Sequence, residues 1–197
     1  LLYWDTNVNG SIKILSVMNK YKCRTLVFSS SATIYGFLND RKLINEKSEI
    51  KPINTYGKTK QIIENILSDL VKLNNWGIIS LRYFNPVGAH QSGKIGENSL
   101  LNANNIMPIL NQVGLGKREI FEIYGNDWDT KDGTCIRDYI HVLDLANGHI
   151  KALEHLSISG SEYLAINLGT GLGVSVLELI YKFQEVNKVK IPYRFIS

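Results

Sequence analysis

The chain has 197 residues, a formal net charge of +4 and a composition that is 44% hydrophobic and 20% charged. These values are typical of globular proteins and exclude a disordered, collagen-like or coiled-coil chain. The basic residues are scattered and no apolar run reaches the roughly 18 to 20 residues that span a bilayer, so neither nucleic acid nor membrane is an expected partner. Cys23 and Cys135 are far apart in the sequence. Their spacing favours a reducing, cytoplasmic compartment, and no metal site is predicted.

Helical and extended patterns alternate along the first half of the chain. Apolar residues recur every three or four positions over residues 8–18, which predicts an amphipathic helix. Residues 24–30 form a short apolar run, as in a strand buried on both faces of a parallel sheet. A long helix is predicted over residues 56–73, and a second buried strand over residues 78–83, broken by Pro86.

The alternation continues in the second half, after a loop predicted over residues 87–105. Helices are predicted over residues 106–113 and 142–156, strands over residues 119–124 and 163–168, and a capping box formed by Ser175 and Glu178. Strands separated by helices imply parallel pairing, so the predicted fold class is α/β. The change in composition near Asn85 predicts a division into residues 1–86 and 87–197.

The pair Tyr56 and Lys60 is the first candidate for chemistry. Residues four apart at the start of a helix lie on one face, one turn from each other. A free phenol has a pKa of about 10, and a neighbouring ammonium group favours the phenolate. The pair therefore suits a tyrosine that removes and returns a hydroxyl proton. The alternative interpretation is an ordinary exposed helix start.

A run of serines precedes this helix. Residues 29–33 (SSSAT) stand at the carboxyl end of a predicted strand, where open parallel sheets bind their ligands. A serine hydroxyl there can bond a substrate oxygen and share its proton with Tyr56. The alternative is that the serines only begin a turn.

Four sequence blocks carry a resemblance to a known family. They are SSSATIYG (residues 29–36), YGKTK (56–60), LRYFNPVGA (81–89) and IRDYIHVLDL (136–145). In this order and spacing they resemble the UDP-glucose 4-epimerase family of the extended short-chain dehydrogenases/reductases. The resemblance extends over essentially the whole chain.

The resemblance implies a Rossmann-like, doubly wound parallel sheet with a smaller α/β part that binds substrate. Residues 1–86 would be the C-terminal half of an NAD-binding domain, and residues 87–197 mainly a UDP-sugar-binding part with segments that return to the Rossmann sheet. The implied reaction interconverts UDP-glucose and UDP-galactose through a 4-keto sugar, with NAD as cofactor. The family also implies a homodimer that pairs through helices near residues 7–20 and 57–73.

The resemblance also assigns roles to individual residues. Tyr56 would be the acid/base, supported by Ser31 and Lys60. Cofactor contacts are expected from Ser31, Tyr56, Lys60, Tyr83 and Phe84. Substrate contacts are expected from Ser31, Tyr56, Asn85, Asn105, Tyr124 and Arg137. Lys60 would also lower the pKa of Tyr56, and Arg137 would bind the pyrophosphate, unless it only forms a surface ion pair with Asp138.

Some of the expected family elements are not found in the sequence. The family's glycine-rich cofactor turn normally precedes the segment that begins here, and a further C-terminal stretch normally completes the sugar pocket. Residues 168–173 (LGTGLG) lack the spacing of that turn and are interpreted as a turn close to a neighbouring strand. We therefore expect a fragment that binds NAD poorly and does not turn over alone. The alternatives are another NAD-dependent sugar-nucleotide dehydratase or decarboxylase, or a non-catalytic truncated remnant.

Overall fold

The structure is a computed structural model that describes residues 1–37, 43–97 and 105–196. The chain divides into two units: unit 1 comprises Leu1–Phe84 and Asp144–Gly169, and unit 2 comprises Asn85–Leu143 and Thr170–Ser197. The break after Phe84 falls close to the division predicted after residue 86. Among the described residues, no helix has both the length and the apolar character that crossing a bilayer requires.

Helices and strands alternate along the chain. The helices are α1 (Gly10–Lys20), α2 (Thr55–Asn74), α3 (Ile106–Gly114), α4 (Val142–Ser159) and α5 (Val176–Asn187). The strands are β1 (Thr25–Ser29), β2 (Gly77–Tyr83), β3 (Asn85–Val87), β4 (Phe121–Tyr124), β5 (Ile136–His141), β6 (Tyr163–Leu168), β7 (Gly173–Ser175) and β8 (Tyr193–Ile196). A π-helical turn, Trp4–Asn9, leads into α1, and a 3₁₀ helix spans Ala32–Tyr35. The α/β class and the predicted longer helices are confirmed, whereas β3, β7 and β8 were not predicted from the sequence.

Unit 1 is built on a parallel sheet with the strand order β1-β2-β6. Strand β2 is central and buried as far as Arg82, as its apolar run predicts. Successive residues of a strand point to opposite faces, so β2 contributes to two cores. Ile78 packs with Leu15, Ile63, Leu67 and Trp76. Ile79 and Leu81 pack with Ala152 and Leu156 of α4. Helices therefore cover both faces of this sheet.

Strand β1 differs from its prediction. The apolar run predicted a strand buried on both faces, but Thr25 is exposed and the rest of β1 is only half-buried. The reason is its place at the edge: among the described residues, β1 pairs with β2 alone. An edge strand presents one unpaired side, and its side chains keep part of their exposure.

Unit 2 contains short strands around a separate core. Strands β3, β5 and β7 form one sheet, and β4 pairs in parallel with β8. The core consists of Leu110, Val113, Phe121, Ile123, Leu177, Ile180 and Ile191. Strand β4 alternates between buried and more exposed residues as predicted. The predicted capping box is confirmed: Ser175 accepts a bond from the Glu178 amide, and the Glu178 carboxylate accepts one from the Ser175 amide.

Strand β2 ends at Tyr83, as predicted, but Pro86 does not end the extended backbone. It lies within β3, which pairs in parallel with β5. Proline has no amide hydrogen to donate, but β3 is an edge strand with one neighbour among the described residues, so that donor is not required on its other side. Residues 98–104 of the loop predicted to follow lie outside the described residues.

Candidate active site

The first turns of α2 present Tyr56 and Lys60, as predicted, and the helix start is fixed by two features. The Asn54 side chain caps the helix by accepting a hydrogen bond of 2.7 Å from the Gly57 amide. Gly57 itself is buried, and a Cβ atom there would come within 2.8 Å of the Thr33 carbonyl oxygen. The absence of a side chain at Gly57 therefore allows α2 to approach the segment of residues 30–35, which we call the serine turn, closely.

Lys60 points toward the same region as Tyr56. Its Nζ donates a hydrogen bond of 2.8 Å to the Ser29 carbonyl oxygen. The same atom lies 5.4 Å from the ring centroid of Tyr56 and 4.9 Å from that of Phe28. Burial lowers the pKa of Lys60. The predicted juxtaposition of the ammonium group and the phenol is confirmed.

Burial is the main influence on the pKa of Tyr56. Burial raises it, and the neighbouring Tyr83 and Tyr3 add to this, whereas hydrogen bonding with Ser31 lowers it. Lys60 was expected to lower the pKa of Tyr56. The net pKa lies above its ordinary value, because removing the phenolate from water outweighs the favourable contacts, and the effect of Lys60 stays a prediction.

Ser31 is held in place by the turn that it begins. It caps the 3₁₀ helix, and its Oγ accepts bonds from the Thr33 amide at 3.3 Å and from the Thr33 hydroxyl at 2.9 Å. Because Oγ accepts in both bonds, its own proton is available for donation. The Ser31 side chain is 92% buried and within interaction range of the Tyr56 hydroxyl.

Strand β2 brings Tyr83 and Phe84 to the same end of the sheet. Both are half-buried, and the Tyr83 ring lies 6.3 Å from the imidazole of His149. His149 Nδ1 lies 2.9 Å from the Leu145 carbonyl oxygen and Nε2 lies 3.3 Å from the Ser29 hydroxyl. A carbonyl can only accept, so Nδ1 carries the hydrogen, and in the neutral ring Nε2 accepts from Ser29. The sequence contains no signal for this contact.

A buried ion pair joins α2 to β2, and the sequence analysis did not predict it. Glu64 and Arg82 have side chains that are 5% and 6% exposed and are joined at 2.6 Å. Burial opposes the charge of Arg82, but hydrogen bonds to Glu64 and Tyr35 raise its pKa. The only available signal was a charged residue inside an apolar strand, which indicates that a partner exists without identifying it.

The remaining predicted residues lie in unit 2, on separate elements. Asn85 begins β3 and is exposed. Asn105 precedes α3 and donates a hydrogen bond of 3.2 Å to Glu97. Tyr124 ends β4 and is 71% exposed. Within residues 1–37, 43–97 and 105–196, no three His, Cys, Asp or Glu side chains form a group that could hold a metal ion.

Arg137 does not form the ion pair with Asp138 that was the alternative interpretation. The Asp138 carboxylate accepts bonds from the amides of Thr170 and Gly171 at 3.0 and 2.8 Å. It also accepts one from the Thr170 hydroxyl. Arg137 donates to the Ile136 carbonyl oxygen, and in the described part of the chain its guanidinium group makes no ion pair. Adjacent strand residues face opposite sides, which separates the two charges.

The glycine-rich turn is explained by the same contacts. Thr170 and Gly171 are held by Asp138 of β5, and Gly173 lies opposite Asp138 in β7. A Cβ atom at Gly173 would come within 2.5 Å of a methyl carbon of Ile136. The turn therefore keeps its backbone close to a neighbouring strand, as predicted.

Comparison with known proteins identifies the family. Residues 1–169 match the NAD dependent epimerase/dehydratase family. The UDP-glucose 4-epimerase 2 of Oryza sativa subsp. japonica is 50% identical over 194 residues, which are 98% of this chain and 47% of that protein. The chain belongs to the NAD dependent epimerase/dehydratase family.

Solved structures agree with this assignment. The crystal structure of UDP-glucose-4-epimerase from Stenotrophomonas maltophila, with bound NAD and formylated UDP-arabinopyranose, matches with a TM-score of 0.95 at 42% identity. The match covers 100% of this chain and 58% of that one. The UDP-glucose 4-epimerase from Bifidobacterium longum, in complex with NAD+ and UDP, matches with a TM-score of 0.92 at 41% identity, covering 98% and 58%. The resemblance to UDP-glucose 4-epimerases and the Rossmann-like α/β fold are confirmed. The chain spans about half the length of the curated relatives it matches.

Proposed function

We propose that the chain is part of a UDP-glucose 4-epimerase, which interconverts UDP-glucose and UDP-galactose through a 4-keto sugar. The observation that carries the proposal is the grouping of Ser31, Tyr56 and Lys60 at the carboxyl end of β1 and the start of α2. Relatives about half identical over nearly the whole chain bear the name UDP-glucose 4-epimerase. A relative's structure in complex with NAD+ and UDP supports the same ligands here.

The donors around Lys60 fit NAD. An ammonium group has three donors, and within the described residues Lys60 donates one of them to Ser29. The others suit the ribose hydroxyls beside the nicotinamide, and the half-buried Tyr83 and Phe84 would border the ring. When bound there, NAD would supply the redox chemistry, as acceptor and then donor of the sugar's hydride. The positive charge of its oxidised ring would also offset the effect of burial on the pKa of Tyr56.

Tyr56 and Ser31 would handle the proton. The Tyr56 phenolate accepts the O4 proton of the sugar as the carbon–oxygen bond becomes a carbonyl, and the phenol returns that proton in the second half of the reaction. Ser31 accepts both bonds from Thr33, so its one hydroxyl proton would pass from Tyr56 to the sugar oxygen when substrate binds and would hold that oxygen in line with the phenol. Lys60, whose Nζ lies 5.4 Å from the centroid of the Tyr56 ring, would stabilise the phenolate.

The residues of unit 2 would bind the nucleotide part of the substrate. A guanidinium group binds phosphate oxygens with two parallel hydrogen bonds, and Arg137, which forms no ion pair with any described residue, is suited to the pyrophosphate. Asn85 and Asn105 offer amide groups to the UDP-sugar, and the exposed ring of Tyr124 would stack against the uracil. Firm binding of UDP leaves the hexose free to turn and present its other face.

The test uses the complete protein that carries this chain. It is incubated with UDP-glucose and, separately, with UDP-glucuronate, and the products are identified by chromatography and mass spectrometry. Conversion of UDP-glucose to UDP-galactose supports the proposal. A dehydrated or decarboxylated product would assign the rival activity of the same scaffold, and no product from either sugar would favour a non-catalytic remnant.

We further propose that the complete protein is a cytoplasmic homodimer. Both cysteines are free, which agrees with a reducing compartment. Exposed apolar side chains on α1, such as Ile14 and Val17, support pairing through α1 and α2. Sedimentation of the complete protein at twice the monomer mass would support the dimer, and a monomer at all concentrations would reject it.

A further inference from the structure

The buried ion pair of Glu64 and Arg82 is connected to the serine turn on both sides. Glu64 Oε1 accepts a hydrogen bond of 2.5 Å from the Ser30 hydroxyl. Arg82 donates one of 3.0 Å to the Tyr35 hydroxyl, which in turn donates to Asn167 at 2.7 Å. Ser30 and Tyr35 are fully buried and flank the segment that begins with Ser31. Ser31 therefore lies in a segment that is bonded to the ion pair at both ends, through Ser30 and through Tyr35.

The same contacts attach α2 to β1. Tyr56, Lys60 and Glu64 are spaced by four residues and lie on one face of α2. Lys60 bonds the Ser29 carbonyl, and Glu64 bonds the Ser30 hydroxyl. Two successive turns of the helix are thus joined to two successive residues just before Ser31. A shift of α2 along its axis would break both bonds.

The ion pair of Glu64 and Arg82 is not explained by its contribution to the stability of the fold. Removing two charges from water costs about as much free energy as their attraction returns, so a buried ion pair adds little net stability. The geometry of the pair is specific, because two nitrogens of Arg82 donate to the two oxygens of Glu64: Nη2 to Oε2 at 2.6 Å and Nε to Oε1 at 3.1 Å. Specific geometry is what a reaction between closely placed groups requires.

We propose that Glu64 and Arg82 are positioning residues that hold the serine turn at a fixed distance from Tyr56. Ser30 and Tyr35 link the ion pair to that turn. The proposal rests on the proposed function, because it assigns Ser31 and Tyr56 to the reaction. Neither Glu64 nor Arg82 needs to touch substrate or cofactor.

The experiment removes one link at a time in the complete protein that carries this chain. Ser30→Ala deletes the hydroxyl that bonds Glu64 and leaves the ion pair intact. Tyr35→Phe deletes the hydroxyl that bonds Arg82 and keeps the ring. Ser80→Ala is the matched control. Ser80 is also fully buried, and it reaches Glu64 only through the Tyr163 hydroxyl, which lies 3.2 Å from Ser80 and 3.4 Å from Glu64, so this variant perturbs the same network without removing either link to the serine turn.

Turnover and the titration of Tyr56 are the two measurements. We expect Ser30→Ala and Tyr35→Phe each to lower kcat about tenfold, with KM nearly unchanged, because a small displacement of reacting groups slows the chemical step. Loss of the Ser31 contact should also raise the titration midpoint of Tyr56. This is followed by NMR of isotope-labelled tyrosine and assigned with Tyr56→Phe. Ser80→Ala should lose comparable stability and leave kcat and the midpoint at their wild-type values.

Equal effects of Ser30→Ala and Ser80→Ala on kcat would overturn the proposal, as would an unchanged Tyr56 midpoint in both link variants. The titration does not depend on turnover. If the wild-type protein epimerises no sugar, the proposed function fails, whereas the shift of the Tyr56 midpoint still decides whether the ion pair positions the turn.

Discussion

The candidate residues of the two units differ in how firmly they are held. In unit 1, Ser31 and Lys60 are bonded to neighbouring backbone or side chains on regular elements next to a buried core. In unit 2, Tyr124 and Arg137 are exposed at or near strand ends. Proton transfer needs groups positioned to a fraction of an ångström, whereas recognition of a charged nucleotide tolerates side chains that adjust on binding. The contrast suggests that chemistry depends on unit 1 and affinity on unit 2.

The largest effect should come from Tyr56→Phe. It removes the proton-carrying hydroxyl and keeps the ring, so kcat should fall by about 10²- to 10⁴-fold with little change in thermal stability. Turnover of UDP-glucose by the complete protein is the measurement, and the melting temperature is its control. Turnover within tenfold of wild type would exclude Tyr56 as the acid/base.

The next prediction concerns stability. Glu64→Ala leaves the buried guanidinium of Arg82 without a partner, which should lower the free energy of unfolding by about 3 to 5 kcal/mol. Glu122→Ala in unit 2 is the comparison: Glu122 pairs with Arg118 and Arg194 at the surface, where ion pairs contribute little. Urea unfolding of the complete protein measures both. If both variants lost the same free energy of unfolding, the ion pair of unit 1 would be held no more firmly than that of unit 2.

Arg137→Gln should separate affinity from chemistry. Losing two charge-assisted bonds to a pyrophosphate should raise KM by about 50-fold, and kcat should change little. Arg194→Gln is a suitable control, since Arg194 is also an exposed arginine of unit 2 but is paired with Glu122. The kinetics of both variants are compared with UDP-glucose as substrate. If kcat falls and KM stays constant, Arg137 belongs with the reacting groups instead.

The smallest expected effect is a pH dependence of stability at Tyr163. Burial raises the pKa of Tyr163 from 10.0 to about 12. Below pH 10 the phenol is protonated in both states; above it, the unfolded state ionises first and is favoured. Stability should therefore fall by about 2 kcal/mol between pH 10 and 12, and Tyr163→Phe should flatten that slope. Tyr124→Phe, at an exposed position, should leave the slope unchanged; identical slopes in all three proteins would contradict the prediction.

The sequence predicted those parts of the molecule in which a pattern repeats. The helices and strands β2, β4 and β6 are long enough to show periodicity, and the spacing of Tyr56 and Lys60 determines that they share a face. Short strands such as β3 have no such pattern, and the incomplete burial of the β1 side chains depends on their neighbours in space. The partner of Arg82 and the burial of Tyr56 are also properties of the tertiary structure. This is why the ion pair was missed and the effect of burial on the pKa of Tyr56 was not predicted.

Gly57 has a consequence for variants of this chain. A methyl group at this position would meet the Thr33 carbonyl at 2.8 Å and a Pro52 carbon at 2.9 Å. To relieve these clashes, the amino end of α2 would have to lift by a few tenths of an ångström or more, together with the phenol one residue earlier. The single hydrogen atom on the Cα of Gly57 that faces Thr33 thus sets the distance between α2 and the serine turn. Gly57→Ala would increase that distance and displace Tyr56 with the end of the helix.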